Sequence, residues 1–296
     1  MKPLFSSPWR PLVWLGAAVA LLLPWPGGPQ GRLESCLFNL LHVPLLFVLT
    51  LMLKVQKPGR RLGIMAFWIL LIEGVQWILG RQAEWEDIGM GLVGLLLALL
   101  VRSTRRGKAL GIVLLLLALL PLGAVLLARS EAGRTFPALA TPRSPLEPGR
   151  WQPYGCAIHR VRIGEEWVLR VIVTGGKPYP GVFLVEAPGD WSRMEELVVR
   201  LFWPGSEPRN FWLRADDRGS GLSYANRVQS CFQLKPGLNT LAVRRSDWAA
   251  TPSGRTFEFD RVHSLGLFWD NARNGDRVDI LEVRLRLVGV PADEKH

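Results

Sequence analysis

Five polar residues interrupt the apolar stretches in the first half of the chain: His42, Glu73, Gln76, Arg81 and Asp87. Ionisable groups in such surroundings are costly, so each marks either a packing contact or a function. Glu73 and Gln76 are three residues apart and share one face of a helix. Arg81 carries the planar fork of donors that suits a phosphate. Together the five would form one polar cluster, a pocket opening outward, in which Glu73, Asp87 and His42 orient a polar headgroup or exchange protons. A plainer role fits the same residues: Arg81 and Asp87 as helix ends at the headgroup level, Glu73 and Gln76 as hydrogen-bonding contacts between helices. None of them declares a nucleophile, so the residue types leave catalysis open. His42, His159, His263 and His296 are scattered and no Cys/His zinc spacing occurs, so neither a metal nor a cofactor is expected.

The second half offers a different chemistry. Seven of the 13 tryptophans lie there: Trp151, Trp167, Trp191, Trp203, Trp212, Trp248 and Trp269. Most should be core residues, because tryptophan is usually well buried. Trp203 and Trp248, beside Pro, Gly and Asp in expected loops, are the candidates for stacking on a sugar. Arg218, Tyr224, Asn226 and Arg227 form a polar loop that would line the same site. Asp190 and Asp260 are expected to fix loops. Cys156 and Cys231 are a candidate disulfide if this half lies in an oxidising compartment.

These residues need elements to position them. Apolar runs occupy Trp9–Trp25, Phe38–Leu53, Leu62–Leu79, Ile88–Val101 and Leu110–Ala128. With a rise of ~1.5 Å per residue, about 20 residues cross a hydrocarbon core of ~30 Å, so the expectation is a bundle of about five transmembrane helices over residues 1–130. The Lys and Arg residues fall in alternate loops: Lys2 and Arg10, then Lys54, Lys57, Arg60 and Arg61, then Arg102, Arg105, Arg106 and Lys108. Such loops stay cytoplasmic, which places the N-terminus inside and everything after the fifth run outside. The +11 formal charge therefore reads as membrane topology, and no nucleic-acid-binding motif accompanies it. Residues 131–150, rich in Pro, Arg and Thr, read as an extended linker. Over 151–290, short alternating or apolar runs such as WVLRVIVTG, ELVVRLFW, NFWLRA, SLGLFW and DILEVRLRLVG recur between turn residues. That pattern predicts an antiparallel β-sandwich or jelly roll.

The order Glu73-x-x-Gln76, Arg81, Asp87 and Gly94 on adjacent spans resembles the VanZ-like membrane protein family. Gly91 stands where that family usually has Asn. The stretch Asn39-Leu-Leu-His42-Val-Pro44 is similar to the family's second helix, although Phe38 and Asn39 replace its usual Asp-Lys pair. The resemblance covers residues 10–102 and implies a bacterial cell-envelope protein with a link to glycopeptide resistance. The second half resembles a galactose-binding-like or carbohydrate-binding-module sandwich. This likeness runs through Gly189-Asp190-Trp191-Ser192, Phe211-Trp-Leu-Arg-Ala-Asp216-Asp217, Leu234-Lys-Pro-Gly237-Leu-Asn239 and Phe259-Asp260-Arg261 to Phe268. Together they imply an inner-membrane protein holding out a periplasmic sandwich, with the lipid bilayer, a glycan, a lipid-linked cell-wall intermediate or an envelope protein as partners. An intramembrane enzyme for a lipid-linked substrate and a structural scaffold remain as alternatives.

Overall fold

The computed structural model describes residues 31–53, 57–78, 85–101, 103–221 and 223–290. The chain divides into two compact units, Met1–Ala124 and Val125–His296. Helices α1 (Arg32–Met52), α2 (Pro58–Ile78) and α3 (Trp85–Leu100) belong to the first, and α4 (Arg105–Thr135) starts there and ends in the second. The first apolar run and Arg81 lie outside the described residues.

In α1, Asn39, His42, Val43, Leu46, Leu49 and Thr50 are buried, at the three- and four-residue spacing that gathers one face of a helix. That face meets α3 at two glycines. A Cβ on Gly94 would stand 2.4 Å from the Val43 carbonyl oxygen, and one on Gly91 would stand 2.7 Å from Leu46 Cδ1. The lack of side chains there lets the backbones approach closely. Leu46, Leu49, Met65, Ile69, Ile72 and Leu95 fill the space between α1, α2 and α3. Asn39 Nδ2 adds a hydrogen bond of 3.0 Å to Glu86 Oε2.

Two of the described helices, α1 and α4, are long and apolar enough to cross a membrane. Of the five expected spans, the first lies outside the described residues, and α2 and α3 are not among the helices that qualify. The 16 residues of α3 extend about 24 Å, less than the ~30 Å of a hydrocarbon core. The 21 residues of α2 include Arg60, Arg61 and Glu73. In α4, only 11% of the most apolar window is buried. Leu110, Ile112, Val113, Leu116 and Leu120 are all exposed along it, which a core helix in water would not permit.

The second unit is a sandwich of two antiparallel sheets. One has the order β3-β4-β11-β6-β9, with β1 also paired to β11; the other has the order β2-β5-β10-β7-β8. The strands of the first are β1 (Ala138–Ala140), β3 (Cys156–Ile163), β4 (Glu166–Val173), β6 (Met194–Trp203), β9 (Gly237–Arg244) and β11 (Arg277–Leu287). Those of the second are β2 (Trp151–Tyr154), β5 (Gly181–Val185), β7 (Arg209–Asp217), β8 (Val228–Leu234) and β10 (Val262–Trp269). Alternation sorts each strand into an inner and an outer set. Leu197, Val199, Leu201 and Trp203 of β6, and Leu265, Leu267 and Trp269 of β10, point into one shared core. The β3–β4 hairpin turns at Gly164, whose φ of 60° is a left-handed conformation open to glycine at little cost.

The expected linker is instead part of this unit. β1 pairs with β11, and Leu139 is fully buried. Glu147, also fully buried, accepts hydrogen bonds from Thr141 Oγ1, Arg150 Nη1 and Trp151 Nε1 at 2.8–2.9 Å. A buried carboxylate with three donors holds its segment in place, which composition rich in Pro and Thr does not reveal. Across the first sheet, Arg170 makes a two-pronged ion pair with Asp279, with Nε–Oδ1 at 2.7 Å.

Because the Gly94 backbone already touches Val43, Gly94→Ala is expected to destabilise the helical unit by about 1–3 kcal/mol through overpacking. A lowered melting midpoint of the full chain in detergent would show it; an unchanged midpoint would mean that the α1–α3 contact is looser than described.

Candidate functional site

The outer face of the second sheet carries the candidate site. Burial of Leu265, Leu267 and Trp269 obliges Ser264, Gly266 and Phe268 of β10 to face away from the core. Phe268 pairs with Trp212 of β7 on one side and with Gly181 of β5 on the other. Gly266 lies between Phe183 and Arg214 in the same way. Tyr154 of β2 completes the row at its far edge, opposite Gly181. Aromatic residues of four neighbouring strands thus share this face, Phe183 standing two residues along β5 from the Tyr154–Gly181–Phe268–Trp212 line, which extends on the order of 14 Å at the usual strand spacing.

The rings lie nearly parallel. Trp212 and Phe268 have centroids 6.3 Å apart and an interplanar angle of 9°; Phe183 and Phe268 are 6.4 Å apart at 19°. Gly266 makes the row feasible, because a Cβ there would stand 2.6 Å from the Phe183 ring. Arg214 spreads over the row with its guanidinium carbon 5.0 Å from the Phe183 centroid and 5.9 Å from that of Phe268. Around the rings, Tyr179, Tyr224, Arg227, Gln229, Asp270 and Asn271 enclose a cavity of about 630 Å³. Tyr154, Tyr179 and Tyr224 are exposed.

The polar groups of this cavity are held in place. Asp216 accepts from Arg214 Nε at 3.1 Å and from Ser264 Oγ at 3.0 Å, and pairs with Arg227 Nε at 2.9 Å. Burial pulls Arg214 below its ordinary pKa, and the Asp216 charge opposes that pull. Asp270 Oδ2 accepts from Trp212 Nε1 at 3.3 Å and from Asn210 Nδ2 at 3.4 Å. A flat apolar platform with fixed donors and acceptors at its edge binds a ligand that is apolar on one face and polyhydroxylated at its rim.

Of the residues expected at the site, Tyr224 and Arg227 line this cavity. Trp203 and Trp248 do not: both are in the core, Trp203 at 3% exposure and Trp248 at 0%. Their indole N–H groups donate to the Glu207 carbonyl oxygen and to Ser230 Oγ. Trp212, counted among the mostly core tryptophans, and Phe183, not singled out in the sequence, take the platform role instead. The signal for Trp212 was its place one residue from Phe211 and Leu213, so that it faces away when they face in. Arg218 is exposed outside the cavity. Asn226 serves the neighbouring turn.

That turn is a latch. Arg255 grips Asp217 with Nη1–Oδ2 at 2.8 Å and Nη2–Oδ1 at 2.7 Å, and Nη2 also reaches the Asn226 carbonyl oxygen at 3.0 Å. Ser220 Oγ donates to Asp217 at 2.7 Å, and Ser253 Oγ donates to Asn226 Oδ1 at 2.8 Å. The Tyr224–Asn226 turn is thereby fastened beside the platform. Asp190 similarly ties its loop by accepting from Ser192 N and Oγ.

The expected Cys156–Cys231 disulfide is not formed; both cysteines are free thiols. Cys156 starts β3 and its thiol donates to the Gly181 carbonyl oxygen at 2.7 Å, whereas Cys231 is exposed on β8, opposite Trp212. β2 and β8 form opposite edges of the second sheet, and Cys156 sits by the β2–β5 edge. Burial raises the pKa of both thiols, and the nearby Asp270 charge raises that of Cys231 further.

In the helical unit, His42, Glu73 and Asp87 come together from α1, α2 and α3, all buried. His42 Nδ1 is 3.7 Å from Asp87 Oδ1. The sequence grouped these three with Gln76 and Arg81 as one polar cluster; the close approach of their ligand-type atoms was not legible there, because residues on three separate helices leave no spacing motif. Arg81 lies outside the described residues, and the placement of the Gln76 side chain does too.

Among solved structures, the chain is similar to a family 11 carbohydrate-binding module from Clostridium thermocellum in complex with a β-1,3-1,4-mixed-linked tetrasaccharide: 17% identity, a TM-score of 0.36, and coverage of 46% of this chain and 88% of that one. It is also similar to the agarase AgWH50C, at 12% identity and a TM-score of 0.41, covering 51% of this chain and 26% of that one. A third is the CBM22-1 xylan-binding domain of Xyn10C from Paenibacillus barcinonensis, at 15% identity and a TM-score of 0.33, covering 48% of this chain and 87% of that one. No family model matches the chain, and no curated protein matches it.

The Asp217 latch has a pH signature. Burial alone would raise the Asp217 carboxyl, but hydrogen bonds from Arg255, the Glu258 N–H and Ser220 outweigh it and hold the group below its ordinary value. Its stabilisation is therefore complete above the unfolded value of about 3.9 and is lost as pH falls through the lower folded value. Asp217→Asn should cost about 3 kcal/mol at neutral pH and flatten this acid limb in denaturant unfolding. An unaltered limb would place the acid sensitivity elsewhere.

Proposed function

We propose that the chain is a bacterial inner-membrane, VanZ-like cell-envelope protein that presents a glycan-binding β-sandwich outside the cytoplasm. The observation that carries the glycan reading is the row of near-parallel rings, Trp212, Phe268 and Phe183, continued by Tyr154 on the outer face of a rigid sheet. Sugar rings lay their C–H faces on such a surface, and the hydroxyls at their edges meet Arg214, Asp270, Gln229 and Tyr224. A row that crosses four strands fits an oligosaccharide lying across the sheet better than a single sugar.

The membrane part of the reading rests on α1 and α4, on the exposed leucines of α4 and on the alternation of basic loops. The remaining spans, the multi-pass topology and the VanZ-like identity rest on the sequence pattern of residues 10–102. A second reading, an intramembrane enzyme acting on a lipid-linked envelope substrate, is favoured by the buried grouping of His42, Glu73 and Asp87. It predicts that Glu73→Gln stops turnover of lipid-linked intermediates without lowering membrane abundance.

Full-length protein in nanodiscs should bind members of a panel of β-glucan, xylan and peptidoglycan-derived oligosaccharides by calorimetry. Trp212→Ala should weaken that binding about five- to tenfold, in line with the loss of roughly 1–1.5 kcal/mol of stacking. If the panel gives no binding, or Trp212→Ala binds as the parent does, the glycan reading fails.

The orientation has its own test. Alkaline phosphatase fused after Arg134 should be active and a fluorescent protein at the same point dark. The reverse pattern would put the sandwich in the cytoplasm and remove the envelope-glycan role.

A further inference from the structure

His42, Glu73 and Asp87 lie on three different helices and are exposed by only 7%, 5% and 3%. One ligand-capable atom from each lies within 4.8 Å of the other two. His42 Nδ1 is 3.3 Å from the Phe38 carbonyl oxygen and 3.7 Å from Asp87 Oδ1. Its Nε2 is buried and has no hydrogen-bond partner among the described residues.

One nitrogen with two carboxylate oxygens is the donor set of a borderline divalent ion, Zn²⁺ above all, with Mn²⁺ and Fe²⁺ as neighbours in preference. It is a poor set for Mg²⁺ or Ca²⁺, which take oxygen ligands.

The distances also agree. The centre of a triangle with sides of 4.8 Å lies about 2.8 Å from each corner. Side-chain movements of roughly 0.7 Å would bring each donor to the ~2.0–2.2 Å of a zinc bond. The backbones that carry two of the three ligands are already braced, by Gly94 against Val43 and by Asn39 bonded to Glu86.

We propose that His42, Glu73 and Asp87 form a divalent-metal site between α1, α2 and α3, selective for a Zn²⁺-class ion. Three protein ligands leave a fourth position for water or for an oxygen of a bound substrate, the arrangement of metal sites that do chemistry rather than merely staple a fold. The site does not depend on the glycan reading of the sandwich.

The test uses the full chain in detergent, stripped with a chelator, reloaded with Zn²⁺, desalted and analysed for metal. About one Zn²⁺ per chain should remain, and the melting midpoint should rise on loading and fall again with chelator. Glu73→Gln and Asp87→Asn, which keep side-chain size, should bind Zn²⁺ at least about tenfold more weakly. Co²⁺ loaded into the parent protein should show the visible absorption of a low-symmetry site, a readout that holds even if a variant misfolds. A parent protein that retains no more Zn²⁺ than Asp87→Asn overturns the proposal in favour of a shared proton. A midpoint indifferent to Zn²⁺ and chelator does the same.

Discussion

Strand alternation is the constraint from which the sandwich and its site both follow. In an antiparallel sheet every residue that enters the core sends its two neighbours out. Once Phe211 and Leu213, Leu265 and Leu267, and Val182 and Leu184 are sealed inside, Trp212, Phe268 and Phe183 have no choice of face. Register then sets them beside one another, and Gly266 leaves room for the Phe183 ring. The platform is therefore a by-product of core packing. A slip of one residue along β7 or β10 would bury the rings and expose the leucines together.

The helical unit obeys a related rule with charge in place of hydrophobicity. Gly91 and Gly94 bring α1 and α3 to backbone contact, and this closeness commits His42 and Asp87 to a shared, water-poor space. Glu73 arrives from α2, so that two carboxylates and an imidazole share this buried space. Small residues at the helix contact and ionisable residues beside it are thus one design: the former set the distance, the latter exploit it. The sandwich solves the comparable problem with Arg255 on Asp217 and Arg170 on Asp279, where a bidentate guanidinium neutralises each buried carboxylate directly.

The sequence by itself determined the two-part organisation, because the change from long apolar runs to short alternating ones reflects two ways of hiding backbone polar groups. Each of the β-runs singled out in the sequence, among them those that became β4, β6, β7, β10 and β11, is a strand. β1, β2 and β3 escaped, since Leu139, Trp151 and the mixed CAIHRVRI segment carry no clear alternation, and partners far along the chain make them strands. Local pattern was blind to partner identity in other ways too. It offered Trp203 and Trp248 because turn residues adjoin them, whereas inward register on β6 buries Trp203 and the short helical turn Arg245–Trp248 carries Trp248 into the core. It allowed a Cys156–Cys231 bridge that opposite sheet edges forbid. It placed His42, Glu73 and Asp87 in one polar cluster but did not show that their ligand-type atoms meet within 4.8 Å. Tertiary structure alone decided which rings share a face and which charges share a pocket, because residue type and spacing encode the direction of a side chain while its neighbours come from elements dozens of residues away.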